Sequence, residues 1–184
     1  MIDAAVARRI RLLGLDVDGV LTDNGIFVGP VDGQVVELKR FDIQDGLGQV
    51  LMRSAGLPVV WVSGRHSEAT TARARELRVE EVLQVPGPRK LEAFGTLLER
   101  RGIAWEEAAF VGDDLADLQV LRRVGLPMAV ANAVAEVKAV ATYVTRAEGG
   151  HGAVREAIEA LLRARGEWPE LLERYFSEPA ARVV

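Results

Sequence analysis

The 184-residue sequence contains no cysteine, so disulfide bridges and thiolate metal sites are excluded and a reducing compartment is permitted. Long apolar runs are missing too. The first residues, "MIDAAVARRIR", break their small apolar side chains with Asp3 and three arginines, which leaves no signal-peptide core and nothing able to span a bilayer. A cytoplasmic protein without membrane contact is expected. An excess of positive charge is likewise lacking, for the net charge is −4, and nucleic-acid binders generally carry a clustered basic face. No nucleic-acid partner is expected. Lysine is scarce, with three among 23 basic residues, which makes each lysine worth locating.

What remains is 49% hydrophobic and 27% charged, the composition of a globular chain. At this length one domain, residues 1–184, can bury roughly 70% of the surface exposed by the unfolded chain. No repeat or linker divides it. Short apolar runs recur as "LLGLDV", "LPVVWVSG", "VEEVLQV", "EAAFVGD", "GLPMAVAN" and "TYVTR", and helical patterns such as "PRKLEAFGTLLERRG" and "GAVREAIEALLRARG" lie between them. Alternating strands and helices predict an α/β fold with a parallel sheet covered on both faces, Rossmann-like in type. Residues 25–41 depart from the alternation and read as an inserted β-hairpin around a Pro, Asp and Gly turn. Residues 166–184 form a C-terminal tail with loosely helical spacing.

The first strand runs into Asp16 and Asp18. In open α/β sheets ligands bind beyond the carboxyl ends of the strands, and residues two apart in extended chain face the same way. Both carboxylates can then address one atom. Their mutual repulsion would be relieved by a divalent cation such as magnesium, which accepts hard oxygen ligands. Taken alone, D-x-D-G suits a turn with two solvated acids better. Three further strand-end clusters favour chemistry: Ser63 and Gly64 in "VSG", Lys90 at a helix start after Pro88, and Asp113, Asp114 and Asp117 in "FVGDDLAD". Hydroxyl, backbone N–H, ammonium and helix N-terminus all suit a phosphate, while the acids suit a cation.

In order and spacing, "DVDGV", "VSG", the helix-starting lysine and "VGDDLAD" resemble the four motifs of the haloacid dehalogenase superfamily of phosphatases. More narrowly, "DVDGVLTD", "VSGR", "GPRKLEAF", "VGDDLADLQVL" and "YVTRAEGGHGAVRE" resemble the 3-deoxy-D-manno-octulosonate 8-phosphate (KDO 8-phosphate) phosphatases, over about residues 10–165. The resemblance implies that Asp16 attacks phosphorus to form an aspartyl phosphate, and that Asp18 protonates the leaving sugar oxygen and later deprotonates water. It implies Mg²⁺ held by Asp16, the Asp18 carbonyl and Asp113. Ser63, Gly64 and Lys90 would hold the phosphate oxygens, and Asp114 and Asp117 would support the metal's waters and Lys90. Arg65 and His151 would meet the acidic sugar, His151 standing where the family usually has arginine. Asn24 replaces a usual glycine, a change that positive φ tolerates in asparagine.

Neither gap between motifs has room for a cap domain: 47 positions separate Asp16 from Ser63, and 27 separate Ser63 from Lys90. A capless phosphatase must borrow its cover from elsewhere, the hairpin and C-terminal segment of neighbouring subunits being the candidates, and the resemblance, to a family whose hairpin builds a tetramer, implies a homotetramer. Two other readings stand beside KDO 8-phosphate: a nonulosonate 9-phosphate or other phosphosugar as substrate, and a non-catalytic assembly domain.

Overall fold

The computed structural model describes residues 1–177. Its centre is a parallel sheet of six strands: β1 (Leu12–Leu15), β4 (Val59–Ser63), β5 (Glu81–Gln84), β6 (Ala108–Gly112), β7 (Leu126–Ala129) and β8 (Tyr143–Val144). Each lies inside one of the apolar runs seen in the sequence. β1, β4 and β6 are buried along their whole length, the condition under which a strand reads as continuous rather than alternating apolar sequence. The order across the sheet is β5-β4-β1-β6-β7-β8. Chain direction around the sheet reverses at the β1–β6 boundary, where a doubly wound fold opens its ligand crevice.

The remaining two strands, β2 (Phe27–Val31) and β3 (Gln34–Leu38), form the expected hairpin as a separate antiparallel sheet. Asp32 and Gly33 both take positive φ, 50° and 77°, as a two-residue turn of matching twist requires. Among the described residues, eight α-helices complete the fold: α1 (Ala4–Arg9), α2 (Ile43–Ser54), α3 (Glu68–Glu76), α4 (Lys90–Arg100), α5 (Leu118–Leu121), α6 (Ala135–Val140), α7 (Ala153–Arg165) and α8 (Trp168–Ser177). Among the described residues there is no cap domain, and no helix is long and apolar enough to cross a membrane.

Two differences from the sequence reading are local. α1 carries no periodicity because it is six residues long, and it forms on the Asp3 side chain, which accepts from the Ala5 and Val6 N–H groups. The stretch 117–125, whose apolar residues stand at helical spacing, holds only the four-residue α5, which follows a 3₁₀ turn at Leu115–Asp117. The C-terminal tail is helical in α8, which buries Trp168 and Leu171; residues 178–184 of that expected segment lie outside the described residues.

α2 and α7 pack together and share an uncommon cap. Gly152 precedes α7 and has no side chain to cap it, so Asp45 of α2 accepts instead from Gly152 N–H at 3.3 Å and Arg155 N–H at 2.7 Å. Burial, opposed by these hydrogen bonds, raises the Asp45 carboxyl to about 6. The folded chain therefore holds more protons than the unfolded chain between about pH 4 and 6. This stabilisation is complete below about pH 4 and is lost as the pH rises through 6. Asp45→Asn keeps an acceptor oxygen and removes the charge. Urea unfolding from pH 4 to pH 7 is expected to show a shallower fall in stability for this variant than for the parent.

Candidate active site

Asp16 leaves the end of β1, and the chain turns at once. Val17 carbonyl accepts from the N–H groups of Leu21 and Thr22, and the Thr22 hydroxyl accepts from Gly19 N–H at 3.3 Å. Gly19 is required twice over. Its φ is +92°, and a Cβ there would lie 2.0 Å from Asp113 Oδ2. Only glycine lets the loop after β1 touch the loop after β6. Asn24 adopts φ 67°, so the turn survives the exchange for glycine.

Lys90 arrives from the first turn of α4, and its side chain is 2% exposed. Its Nζ lies 2.7 Å from Asp16 Oδ1 and 2.8 Å from Asp117 Oδ1. Burial opposes the ammonium charge, but the two carboxylates outweigh it and hold the Lys90 pKa above its ordinary value. Asp117 is fully committed, because its second oxygen accepts from Asp113 N–H at 3.2 Å. It acts as a support for Lys90 and for the β6 loop.

The acids outnumber the cation. Burial first and Asp117 second push the Asp16 carboxyl far above the usual carboxylate range, and the same two causes lift Asp113 to about 7. Oxygens of Asp16, Asp113 and Asp117 lie within 4.8 Å of one another, and Asp113 Oδ1 is buried with no hydrogen-bond partner among the described residues. An orphaned oxygen beside surplus negative charge is an open ligand position. The donor set is all oxygen, which fits a hard divalent cation.

A cavity of about 240 Å³ opens over this cluster, lined by Asp16, Asp18, Arg65, Lys90, Asp113 and Asp114, with Asn24, Gly64 and Gly87 at its wall. A larger groove of about 450 Å³ lies against α4 and Trp105 but holds none of these groups. Ser63 ends β4 fully buried, its hydroxyl donating to the Arg65 carbonyl at 2.9 Å. Asp114 caps the following turn by accepting from Leu115 N–H at 2.7 Å. His151 stands apart from the cavity lining: its Nδ1 lies 3.0 Å from the Gly149 carbonyl and its Nε2 3.3 Å from Arg40 Nη1.

Two hairpin residues at this site went unnoticed in the sequence. Glu37 and Lys39, at the end of β3 and just beyond, fold back onto Asp18 and Arg65. Lys39 Nζ donates to Asp18 Oδ1 at 2.6 Å, and Glu37 pairs with the Arg65 guanidinium and accepts from Ser67 Oγ at 2.6 Å. The Arg65 hydrogen bond holds Glu37 below its usual carboxylate range. Arg65 is thus engaged by the chain's own carboxylate, although its buried Nη1 has no hydrogen-bond partner among the described residues and lies 4.0 Å from Asp18 Oδ1. The scarcity of lysine that drew attention to Lys90 applied equally to Lys39.

Known proteins carry the same framework. A family model for haloacid dehalogenase-like hydrolases matches residues 81–158. The chain is 43% identical over 166 residues to the 3-deoxy-D-manno-octulosonate 8-phosphate phosphatase KdsC of Escherichia coli strain K12, covering 90% of this chain and 86% of that protein. The crystal structure of the corresponding phosphatase from Moraxella catarrhalis, in complex with magnesium ion, phosphate ion and KDO, superposes with a TM-score of 0.87 at 34% identity, covering 94% of this chain and 97% of that one. A probable YrbI family phosphatase from Pseudomonas syringae gives 0.88 at 38% identity, with 96% and 98% covered. Likeness of this extent and over this much of both partners places the chain within the KDO 8-phosphate phosphatase family of haloacid dehalogenase-like hydrolases.

Proposed function

We propose that this protein is a magnesium-dependent phosphatase that hydrolyses KDO 8-phosphate to KDO and phosphate through an aspartyl phosphate. One observation carries the reading: Asp16, two residues from Asp18, is fixed by the buried ammonium of Lys90 on one oxygen and sits beside the unpartnered oxygen of Asp113. The first contact leaves the second Asp16 oxygen available to attack. Asp16, Asp113 and the Asp18 carbonyl would hold Mg²⁺, which when bound offsets the charge between an anionic nucleophile and an anionic ester.

The chain's own groups do the rest. Lys90 neutralises phosphate oxygens and orients Asp16, with Asp117 steadying it from below. Gly64 N–H and the Ser63 hydroxyl complete the phosphate cradle, once the hydroxyl exchanges its bond to the Arg65 carbonyl for one to phosphate. Asp114, which lines the cavity, would orient waters on that ion. Asp18 gives a proton to the sugar oxygen as the phosphorus–oxygen bond breaks, and then takes one from the water that hydrolyses the aspartyl phosphate. The part-exposed Arg65 guanidinium supplies a donor for the sugar carboxylate. The test is phosphate release from KDO 8-phosphate, a nonulosonate 9-phosphate and common hexose phosphates, with and without magnesium. Faster turnover of a nonulosonate ester would overturn the substrate, and release unaffected by chelation would overturn the metal.

The reading extends to a homotetramer joined through the hairpin, with His151 reaching a neighbour's site. Supporting it, Phe27, Val28, Val35 and Leu38 hold 60–79% of their surface in the open on one small two-stranded sheet. Exposed apolar area of that density favours burial against another copy. Introducing charge through Phe27→Asp and Val35→Asp together is expected to yield monomers by light scattering, with at least a tenfold loss of turnover as solvent enters the site. A parent that is monomeric and fully active sinks the assembly.

A further inference from the structure

Lys39 has no role in the chemistry described so far, yet its side chain is fully buried at the mouth of the site. A buried ammonium is costly unless its donors are matched. Here they are. Nζ lies 2.6 Å from Asp18 Oδ1, 3.2 Å from Thr70 Oγ1 and 3.9 Å from Glu37 Oε1, so it joins the loop after β1, helix α3 and the hairpin. Glu37 reinforces that seat through Arg65 and Ser67. The hairpin shares no strand pairing with the main sheet; a backbone bridge between Thr22 and Phe41, together with side-chain contacts of this kind, holds its base over Asp18.

We infer that Lys39 is a positioning residue for Asp18: by occupying one carboxyl oxygen, it confines the transferable proton to the other and aims that oxygen at the leaving group. The inference rests on the phosphatase reading. In the step it serves, an Asp16 oxygen bonds to phosphorus and the bond from phosphorus to the ester oxygen breaks. The released electron pair takes the proton from Asp18, giving an alcohol, an aspartyl phosphate and an Asp18 carboxylate. Without Lys39 the Asp18 side chain can turn about its last torsion, and the proton is misdirected in most of its orientations. Seating of the hairpin thereby becomes a condition for leaving-group departure, not only for exclusion of water.

Leaving-group dependence isolates this role. An alkyl phosphate needs the proton, whereas p-nitrophenolate departs without one, and kcat/KM reports only steps through that departure. For Lys39→Met, kcat/KM on the sugar phosphate is expected to fall about 100-fold, within the range of general-acid contributions. The loss on p-nitrophenyl phosphate should be at least tenfold smaller. Lys39→Gln, a neutral donor of similar length, should restore at least tenfold of the sugar-phosphate activity, and it carries the same comparison if the methionine variant melts early. In an Asp18→Asn background, Lys39→Met should cost nothing more on the sugar phosphate. Equal losses on the two substrates, or no loss on either, overturn the role of Lys39. A parent that releases phosphate from neither ester overturns the phosphatase reading itself.

Discussion

Asp16→Asn is expected to keep the fold and to lose phosphatase activity by at least about 10⁴-fold, the scale on which removal of a covalent nucleophile is felt. The carboxamide occupies the same volume and still accepts from Lys90, so the packing around β1 is undisturbed. What disappears is the anionic oxygen proposed to bond to phosphorus. Stability should change little, and its direction can be reasoned. The Asp16 carboxyl is strongly disfavoured as an anion by burial and by Asp117, so a neutral side chain relieves crowding among the acids while Asp117 still pairs with Lys90. A melting temperature within about 3 °C of the parent corresponds to roughly 1 kcal/mol in a domain of this size. Phosphate release and thermal unfolding on the same preparation separate the two effects. Activity within tenfold of the parent would remove Asp16 from the nucleophilic role.

Lys90→Met is expected to fail in both respects. Truncating one partner of a buried ion pair leaves uncompensated charge and costs about 3–5 kcal/mol. Here the ammonium serves two carboxylates at once, Asp16 and Asp117, and the side chain is almost wholly buried. The stability lost should therefore lie at the upper end of that range. A second variant tells structure from catalysis. Adding Asp117→Asn removes one orphaned charge and keeps an acceptor oxygen for Asp113 N–H, so most of the stability should return in urea unfolding. Turnover should not return, because the phosphate would still lack its ammonium. A double variant as unstable as Lys90→Met would show that Asp117 is not the charge that Lys90 offsets.

The central strands were readable because burial on both faces leaves them no option but unbroken apolar sequence; Asp16 and Asp113 stand where such runs stop, and Lys90 stands at a helix start. The hairpin announced itself by its Asp-Gly turn. What stayed hidden has a common physical origin. The position of Lys39, 21 residues from its partner Asp18, depends on how the hairpin folds back, and nothing local in the sequence encodes that angle. Glu37 facing Arg65 follows from the same fold-back. α1 was invisible for another reason: six residues offer too few turns for a periodic signal, and the Asp3 cap alone was its mark. Asp117 was expected to support the metal's waters and Lys90. The geometry shows its two oxygens bound to Lys90 and to the Asp113 backbone.

The seam between Gly149–Gly150 and the turn after β1 bears on how the protein is made. A Cβ on Gly149 would fall 1.8 Å from the Gly19 carbonyl oxygen, and Gly150 N–H donates to the Val20 carbonyl at 3.0 Å. Asp16 and its turn are translated some 130 residues before the chain that braces them. A nascent chain stalled before that point carries every carboxylate of the proposed site without the wall that shapes it, so on the phosphatase reading turnover is expected only once Gly149 and Gly150 have docked.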